Sequence, residues 1–438
     1  MFTKVKLKNY KSLVDLEVDL KGTKNQPKPL IIIYGENGVG KSNFAASFLT
    51  LSESLQTMSL RKVIQQFMEE TMDGIPKEFV VKMISQNLRD TETIIKNCKT
   101  INSKGNMLLE FGFIIGRKHG NYILEYDDTK LVHERLDYAL NKNKTNLYDI
   151  TLENIKINDK LFLDSEYAKE LKELLVKYRG KHSFLSILLS EKEEKADGYV
   201  EEKVSGSLFD VINRFRGMSL RVKTGNKGER GRIGVPHKIL GELIEGEIDV
   251  SEEAELDQAQ ELLNEFFSQA YSDIKGAYYR KEYREHRIEY ELVFRKLIYG
   301  KVVDIAAESE STGTLHLLDI LPFLLMGVKG KAVVIDELDT GIHDLLVNSI
   351  LSNVLDSIRG QLIITTHNTM LLETEIDPSC IYTFYVDKDA NKYLEPIVAY
   401  EGRAHPNLNY RKRYLKGMYG GIPMVRDIDF DELWDIFD

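Results

Sequence analysis

The chain has 438 residues, 42% apolar and 29% charged, which excludes a disordered or fibrous polymer and allows a large core in two or three structural units. Its cysteines, Cys98 and Cys380, are too few for a disulfide framework and lack metal-ligand spacing, so inert core thiols in a reducing compartment are expected. A formal net charge of -10 excludes nucleic-acid binding by bulk charge and leaves only a local patch for it.

The first residues, MFTKVKLKNYKSLVDLEVDL, alternate in polarity as a β-hairpin over 2–20 and contain no apolar signal-peptide centre. PLIIIYGENGVGKSNFAASFLTLSESL follows as buried strand, glycine loop and helix. From 52 to about 100 the pattern is helical, most clearly in LRKVIQQFMEETM, and residues 106–136 predict two or three strands of a small antiparallel lobe. Residues 164–276 return to helices, and RIEYELVFRKLIYGKVVDIAAE predicts another hairpin. An apolar helix from about 311, a buried strand KAVVIDE, a helix from about 343 and a strand QLIITTH then alternate as in a parallel α/β sheet. That apolar helix is broken by Asp319 and Pro322 and is shorter than the roughly 18 residues of a membrane span, so a cytoplasmic protein is expected. No heptad pattern persists beyond about three repeats, and no internal repeat is present.

GENGVGKS, residues 35–42, has the full phosphate-loop spacing. The amides of Gly35, Glu36, Asn37, Gly38, Val39 and Gly40 can wrap phosphates, Lys41 supplies a cation, and Ser42 can ligate Mg²⁺, with Asn43 beside it. KAVVIDELD ends an apolar strand in Asp336, suited to the Mg²⁺ side, and Glu337, suited to polarise the attacking water. LIITTHNTM ends a neighbouring strand in His367, whose ring could hydrogen-bond a γ-phosphate oxygen. Ser311, Thr312, Gly313 and Thr314 open the apolar helix, either as an ordinary cap or as an anion site built from first-turn amides.

Together these segments resemble ATP-binding cassette (ABC) ATPases, in the branch of SMC-type, RecF-like and overcoming-lysogenization-defect (OLD) proteins. The similarity covers residues 1–50, about 105–150 and 285–400. It implies an α/β fold: a split P-loop ATPase head with an antiparallel β lobe and a helical insertion. The implied units are an N-terminal lobe over 1–160 with a helical segment at 52–104, an insertion over 161–284, a C-terminal lobe over 285–400 and a tail over 401–438. By the same resemblance ELDTGIH, with Asp339, follows the acidic strand, and Ser311 and Gly313 lie in a signature segment that contacts ATP held by another protomer. A homo-oligomer sharing two ATP molecules with Mg²⁺ follows. The signature reads STGT instead of SGGQ and no Gln between the first helix and the antiparallel lobe is assigned to the Mg²⁺ site, so slow hydrolysis or a ligand supplied differently is expected.

NLNYRKRYLKGMYGGIP, 407–423, resembles a tail of OLD-like ATPases in anti-phage and abortive-infection systems of AbiL, RloA or PARIS type, encoded beside a TOPRIM-like or RloB-type nuclease. The expected function is therefore an ATPase that senses or scaffolds for such an effector. The alternatives are a DNA-repair ATPase of RecF or SMC type and a non-hydrolysing ATP-dependent scaffold. Two basic segments could touch nucleic acid: 213–238, expected as a mobile loop with eight Lys or Arg against one acid, and 278–287. Asp387 and Asp389 in YVDKDAN are expected to be solvated turn acids, since too little chain follows them for a TOPRIM domain. The acidic, Trp-containing segment 427–438 suits docking on a partner groove or on its own domain.

Overall fold

The computed structural model describes residues 1–59, 89–140, 143–224, 228–234, 237–401, 408–422, 428–434 and 436. The helix expected at 60–72 lies outside the described residues.

The N-terminal hairpin is β1 (Phe2–Tyr10) and β2 (Leu13–Asp19), followed by β3 (Leu30–Tyr34), α1 (Lys41–Ser54) and α2 (Thr91–Cys98). β4 (Met107–Ile115), β5 (Lys118–Tyr126), β6 (Leu131–Ala139), β7 (Lys144–Thr151) and β8 (Ile155–Ile157) complete an antiparallel sheet in the order β2-β1-β4-β5-β6-β7-β8. The lobe is thus larger than the two or three strands expected. β1 pairs with β4 across the P-loop segment, which sequence proximity could not indicate.

Four helices follow: α3 (Ser165–Tyr178), α4 (Phe184–Glu194), α5 (Tyr199–Lys203) and α6 (Gly206–Arg216). Here the expected helical insertion over 161–284 needs correction. After Arg216 the chain enters the central sheet, which also holds β3, as β9 (Ser219–Lys223) and β10 (Glu229–Arg232). β9 pairs in parallel with the acidic strand, because the alternating apolar positions of SLRVK complete a sheet edge. Then come α7 (Lys238–Gly241), β11 (Glu245–Asp249), α8 (Glu253–Ala270), β12 (Ile274–Arg284), β13 (Arg287–Ile298) and β14 (Lys301–Ala306). These four strands form a second antiparallel sheet against α8.

The last third holds α9 (Thr312–Val328), β15 (Ala332–Ile335), α10 (Asp344–Leu355), β16 (Gln361–Thr365), β17 (Ile381–Val386) and β18 (Lys392–Pro396). Two short helices, α11 (Tyr410–Leu415) and α12 (Phe430–Trp434), close the chain. The central sheet runs β10-β9-β15-β16-β3-β17-β18, with β9 to β17 parallel and both edges antiparallel. It is buried on both faces: Ile31 and Ile33 pack with the antiparallel lobe and α1, whereas Leu30, Ile32 and Tyr34 pack with α9 and α10. Two covered faces explain why β3, β15 and β16 are continuous apolar runs. This is the split α/β head with an antiparallel lobe expected from the sequence, assembled from strands about 300 residues apart. Cys98 and Cys380 are buried free thiols. Among the described residues no helix is long and apolar enough to cross a membrane.

Candidate nucleotide site

The loop between β3 and α1 turns on Gly35, Gly38 (φ 78°) and Gly40 (φ 127°), the last two in backbone that favours glycine. Asn37 and Gly38 are exposed at its crest, and Val39 and Gly40 are buried beneath. Lys41 opens α1 with its side chain folded over the loop, where Nζ donates to the Gly35 carbonyl at 2.8 Å and the Glu36 carbonyl at 3.0 Å. Burial lowers the Lys41 pKa, opposed by Asp336, Glu337, Asp339 and Glu36, so these four carboxylates surround one ammonium. Asn43 turns away: its Nδ2 donates to Ser12 Oγ at 2.7 Å and braces the first hairpin turn, unlike the nucleotide contact expected of it.

β15 delivers Asp336, which is fully buried. Its Oδ1 accepts from Thr365 Oγ1 at 2.6 Å, its Oδ2 from the Lys223 amide at 3.3 Å, and Ser42 donates to the same carboxylate. Burial pushes this carboxyl up, partly offset by those donors. Thus Ser42 and Asp336, the expected Mg²⁺ residues, do meet. Glu337 has left-handed backbone (φ 52°), a conformation that costs a non-glycine residue about 1 kcal/mol or more. Its amide donates to Thr365 Oγ1 at 2.8 Å, and its Oε2 pairs closely with Lys223 Nζ. Burial raises its pKa, but Lys223, His367 and Lys41 outweigh that and hold it below the usual carboxylate range.

His367 stands at the end of β16, the strand between β15 and β3. Its amide donates to Asp339 Oδ2 at 3.2 Å, while Asp339 Oδ1 is buried with no partner among the described residues. Packing lowers the imidazole pKa, reinforced by Lys41 and opposed by Asp339, Glu337 and Asp336. Loop, paired acids and histidine are therefore one constellation at the carboxyl ends of β3, β15 and β16, the edge where parallel sheets bind ligands.

At the start of α9 the cap is built as expected: Ser311 Oγ accepts the Thr314 amide at 3.2 Å. The Ser311 amide goes to Glu310 Oε2 at 3.3 Å. First-turn amides have no acceptor within a helix, and Thr312 and Gly313 carry two such amides, the first on an exposed residue and the second on a buried one. Ser311 and Thr312 are exposed, whereas Gly313 is buried against the turn after Asp339, where a Cβ would lie 2.4 Å from the Gly341 carbonyl oxygen. One turn on, His316 joins the helix to the acids: Nε2 donates to the Leu338 carbonyl at 3.1 Å, and Nδ1 accepts from Arg221 at 3.2 Å.

The site includes residues that no motif flagged. Thr365 bridges Asp336 and Glu337, the Lys223 side chain reaches Glu337 from β9, and the Arg221 carbonyl accepts the Asp336 amide. Polarity alternation in SLRVK was the available signal, masked by its place within a basic run. The tail segment 408–422 also belongs here. Arg411 donates to Thr369 Oγ1 at 3.2 Å beyond His367, the rings of Tyr414 and Tyr34 lie 5.4 Å apart, and Tyr414 OH donates to the Gly421 carbonyl at 3.0 Å. A short helix and glycine turn thus brace the phosphate loop from behind.

Most of the described basic side chains in the two basic segments are paired with acids of this chain. Within 213–238, Arg216 pairs with Glu193, Arg221 with Glu229 and Asp319, Lys223 with Glu337 and Arg230 with Glu53, and the described part is helix and sheet instead of the mobile loop expected. Residues 225–227 and 235–236 lie outside the described residues. Within 278–287, Arg280 pairs with Glu291, Lys281 with Glu253 and Asp257, Arg284 with Glu289 and Arg287 with Glu247. Cross-strand pairs among β11, β12 and β13, with Lys281 reaching α8, thus consume charges that a sequence shows as a run. Asp387 is the turn acid expected, accepting the Asp389 and Asn391 amides at 2.9 Å each. Phe430 and Trp434 of α12 are exposed.

Residues 243–373 match a family model described as "AAA domain, putative AbiEii toxin, Type IV TA system". That span, less than a third of the chain, holds the signature helix, both acids and His367 but not the phosphate loop. No curated protein matches the sequence. Solved structures with similarity include an SMC head bound to the C-terminal winged-helix domain of ScpA, at 12% identity and TM-score 0.43, covering 90% of this chain and 97% of that one. The SMC head domain from Thermotoga maritima (14%, TM-score 0.38) and the SMC head with extended coiled coil bound to a ScpA domain from Pyrococcus furiosus (14%, TM-score 0.40) each cover 90% of this chain, and are themselves covered over 98% and 95%. At this level of likeness the fold rests on its own strand order and loop geometry.

Proposed function

We propose that the chain is an ABC-type ATPase subunit that binds ATP with Mg²⁺, closes on a second copy around the nucleotide, and controls a separately encoded TOPRIM-like or RloB-type nuclease in bacterial anti-phage defence. The observation that carries the ATPase reading is the convergence of Lys41, Ser42, Asp336, Glu337, Asp339 and His367 on one sheet edge. What supports the defence reading is the AbiEii-type description of the family matched by 243–373, together with a tail that braces the loop.

The residues present fit the ligands. A hydroxyl and one carboxylate suit Mg²⁺, which takes its remaining ligands from phosphates and water and would neutralise charge on the β- and γ-phosphate oxygens. Lys41 exchanges two backbone carbonyls for phosphate oxygens. Glu337 takes the proton of the attacking water as its oxygen bonds to the γ-phosphorus and the bond to the ADP oxygen breaks. His367, its pKa lowered, offers a neutral ring N–H to a γ-phosphate oxygen. Thr312 and Gly313 amides offer the same charge a contact from the partner copy.

Light scattering on Glu337→Gln with and without ATP tests the shared site. An ATP-dependent doubling of mass is expected there and not in Lys41→Ala, whose nucleotide affinity should fall strongly by calorimetry. Unchanged mass in Glu337→Gln, despite bound ATP, would overturn the sandwich. For the effector, nuclease output from a co-expressed adjacent TOPRIM-encoding reading frame should depend on Lys41, and indifference to Lys41→Ala would sink the regulatory role.

A further inference from the structure

Strand β9 places two cations against the site, and the motif-based account uses neither. Lys223 ends the strand with its amide on Asp336 Oδ2 at 3.3 Å and its ammonium paired with Glu337 Oε2. Arg221, on the same face two residues earlier, is buried, bonded to His316 at 3.2 Å and paired with Glu229 at 2.8 Å and Asp319 at 3.5 Å. The strand is therefore anchored to α9, and Lys223 is held in place rather than drifting with a loop. Glu337 is fixed as well, by its left-handed backbone and its amide bond to Thr365.

A carboxylate that accepts a proton from water must turn an oxygen towards it, and a side chain held by an ion pair turns less freely. As folded, Glu337 Oε2 lies against Lys223 and 3.5 Å from Thr340 Oγ1. The pair's side chains are 36% and 32% exposed, enough for solvent to screen it and let it open, yet not enough to make it negligible. We propose that Lys223 is a positioning residue that restrains Glu337, so that the carboxylate turns towards water more readily once the Lys223–Glu337 pair opens. This rests on the reading of Glu337 as the group that activates water.

Phosphate release with Mg-ATP is compared for full-length wild type, Lys223→Met, Lys223→Arg and Glu337→Gln. Loss of the pair should raise kcat about threefold or more while KM stays within about twofold, because the restraint acts on the acid and not on nucleotide binding. Lys223→Arg should stay near wild type, since the guanidinium renews the pair. Lys223→Gln, which keeps a polar end on the strand, serves in the same way should the methionine variant not fold. A folded Lys223→Met or Lys223→Gln protein with unchanged or lower kcat overturns the restraint. Glu337→Gln separates the two claims: loss of its turnover keeps the acid assignment whatever Lys223 does, whereas turnover at the wild-type rate removes that assignment and this proposal with it.

Discussion

Gly313 of α9 and Gly341 in the turn after Asp339 pack so tightly that a Cβ on Gly313 would stand 2.4 Å from the Gly341 carbonyl oxygen. The contact joins the start of α9 to the loop that leads from Glu337 and Asp339. A side chain at 313 thus disturbs packing before it can meet a partner's phosphate. Gly313→Ala should cost about 1–3 kcal/mol in thermal or denaturant unfolding, and a wild-type unfolding curve would show that the turn yields.

The exposed neighbour gives the cleaner test of a shared site. Thr312→Glu should keep the fold and the nucleotide affinity of Lys41, yet lose turnover by tenfold or more and lose ATP-dependent association, because its carboxylate repels an incoming γ-phosphate (on the order of 1–2 kcal/mol). Mixing it with Lys41→Ala protein should recover part of the activity, since one site of the heterodimer keeps an intact cradle and an intact helix start. A mixture as inactive as either parent, with heterodimers shown to form, would return residues 311–314 to an ordinary helix cap.

Thr365 donates to Asp336 and accepts from the Glu337 amide, so it sets the positions of both acids. In Thr365→Val the shape is nearly kept but a buried carboxylate and an amide lose their partner, at a cost of about 1–3 kcal/mol. Turnover should fall by roughly tenfold, with the Mg²⁺ concentration for half-maximal rate raised. A valine variant with wild-type Mg²⁺ dependence would mean that Ser42 and the Lys223 amide suffice to orient Asp336.

Gly421, with φ 73°, lies where a Cβ would meet the Phe384 carbonyl oxygen at 2.9 Å and the Gly35 Cα at 3.2 Å. Gly421→Ala therefore strains the tail directly behind the phosphate loop, by about 1–2 kcal/mol. The KM for ATP should rise severalfold with a smaller change in kcat. If both constants match wild type, the tail braces the sheet without influencing the loop.

Burial, reinforced by Arg221 and opposed by the hydrogen bond to Leu338, lowers the His316 pKa to about 4 from the ordinary 6.5 of a free imidazole. The folded chain therefore keeps this ring neutral, while the unfolded chain binds a proton below its ordinary pKa. Stability from this group is present above about pH 6.5 and is lost as pH falls towards about 4, by a few kcal/mol at most. His316→Phe should flatten unfolding free energy against pH in that window, and an unchanged slope would assign the titration elsewhere.

What the sequence determined by itself was whatever lies in contiguous chemistry. Residues 35–42 carry the phosphate-loop spacing, the apolar run before Asp336 and Glu337 marks a strand buried on both faces, and His367 ends another such strand. Each depends on local backbone geometry or on period-two burial, which a linear pattern records. The tertiary structure decided everything that depends on which strand lies beside which. Only parallel pairing of β9 with β15 turns a basic stretch into the holder of Glu337, and only the packing of β12 and β13 with β11 and α8 shows that 278–287 spends its charge on Glu247, Glu253, Asp257, Glu289 and Glu291. The same holds for Thr365, His316 and the tail behind Gly35, whose partners lie 22 or more residues away in the chain. Hydrogen bonds and ion pairs act over a few ångströms of space, and the fold alone sets which residues come within that reach.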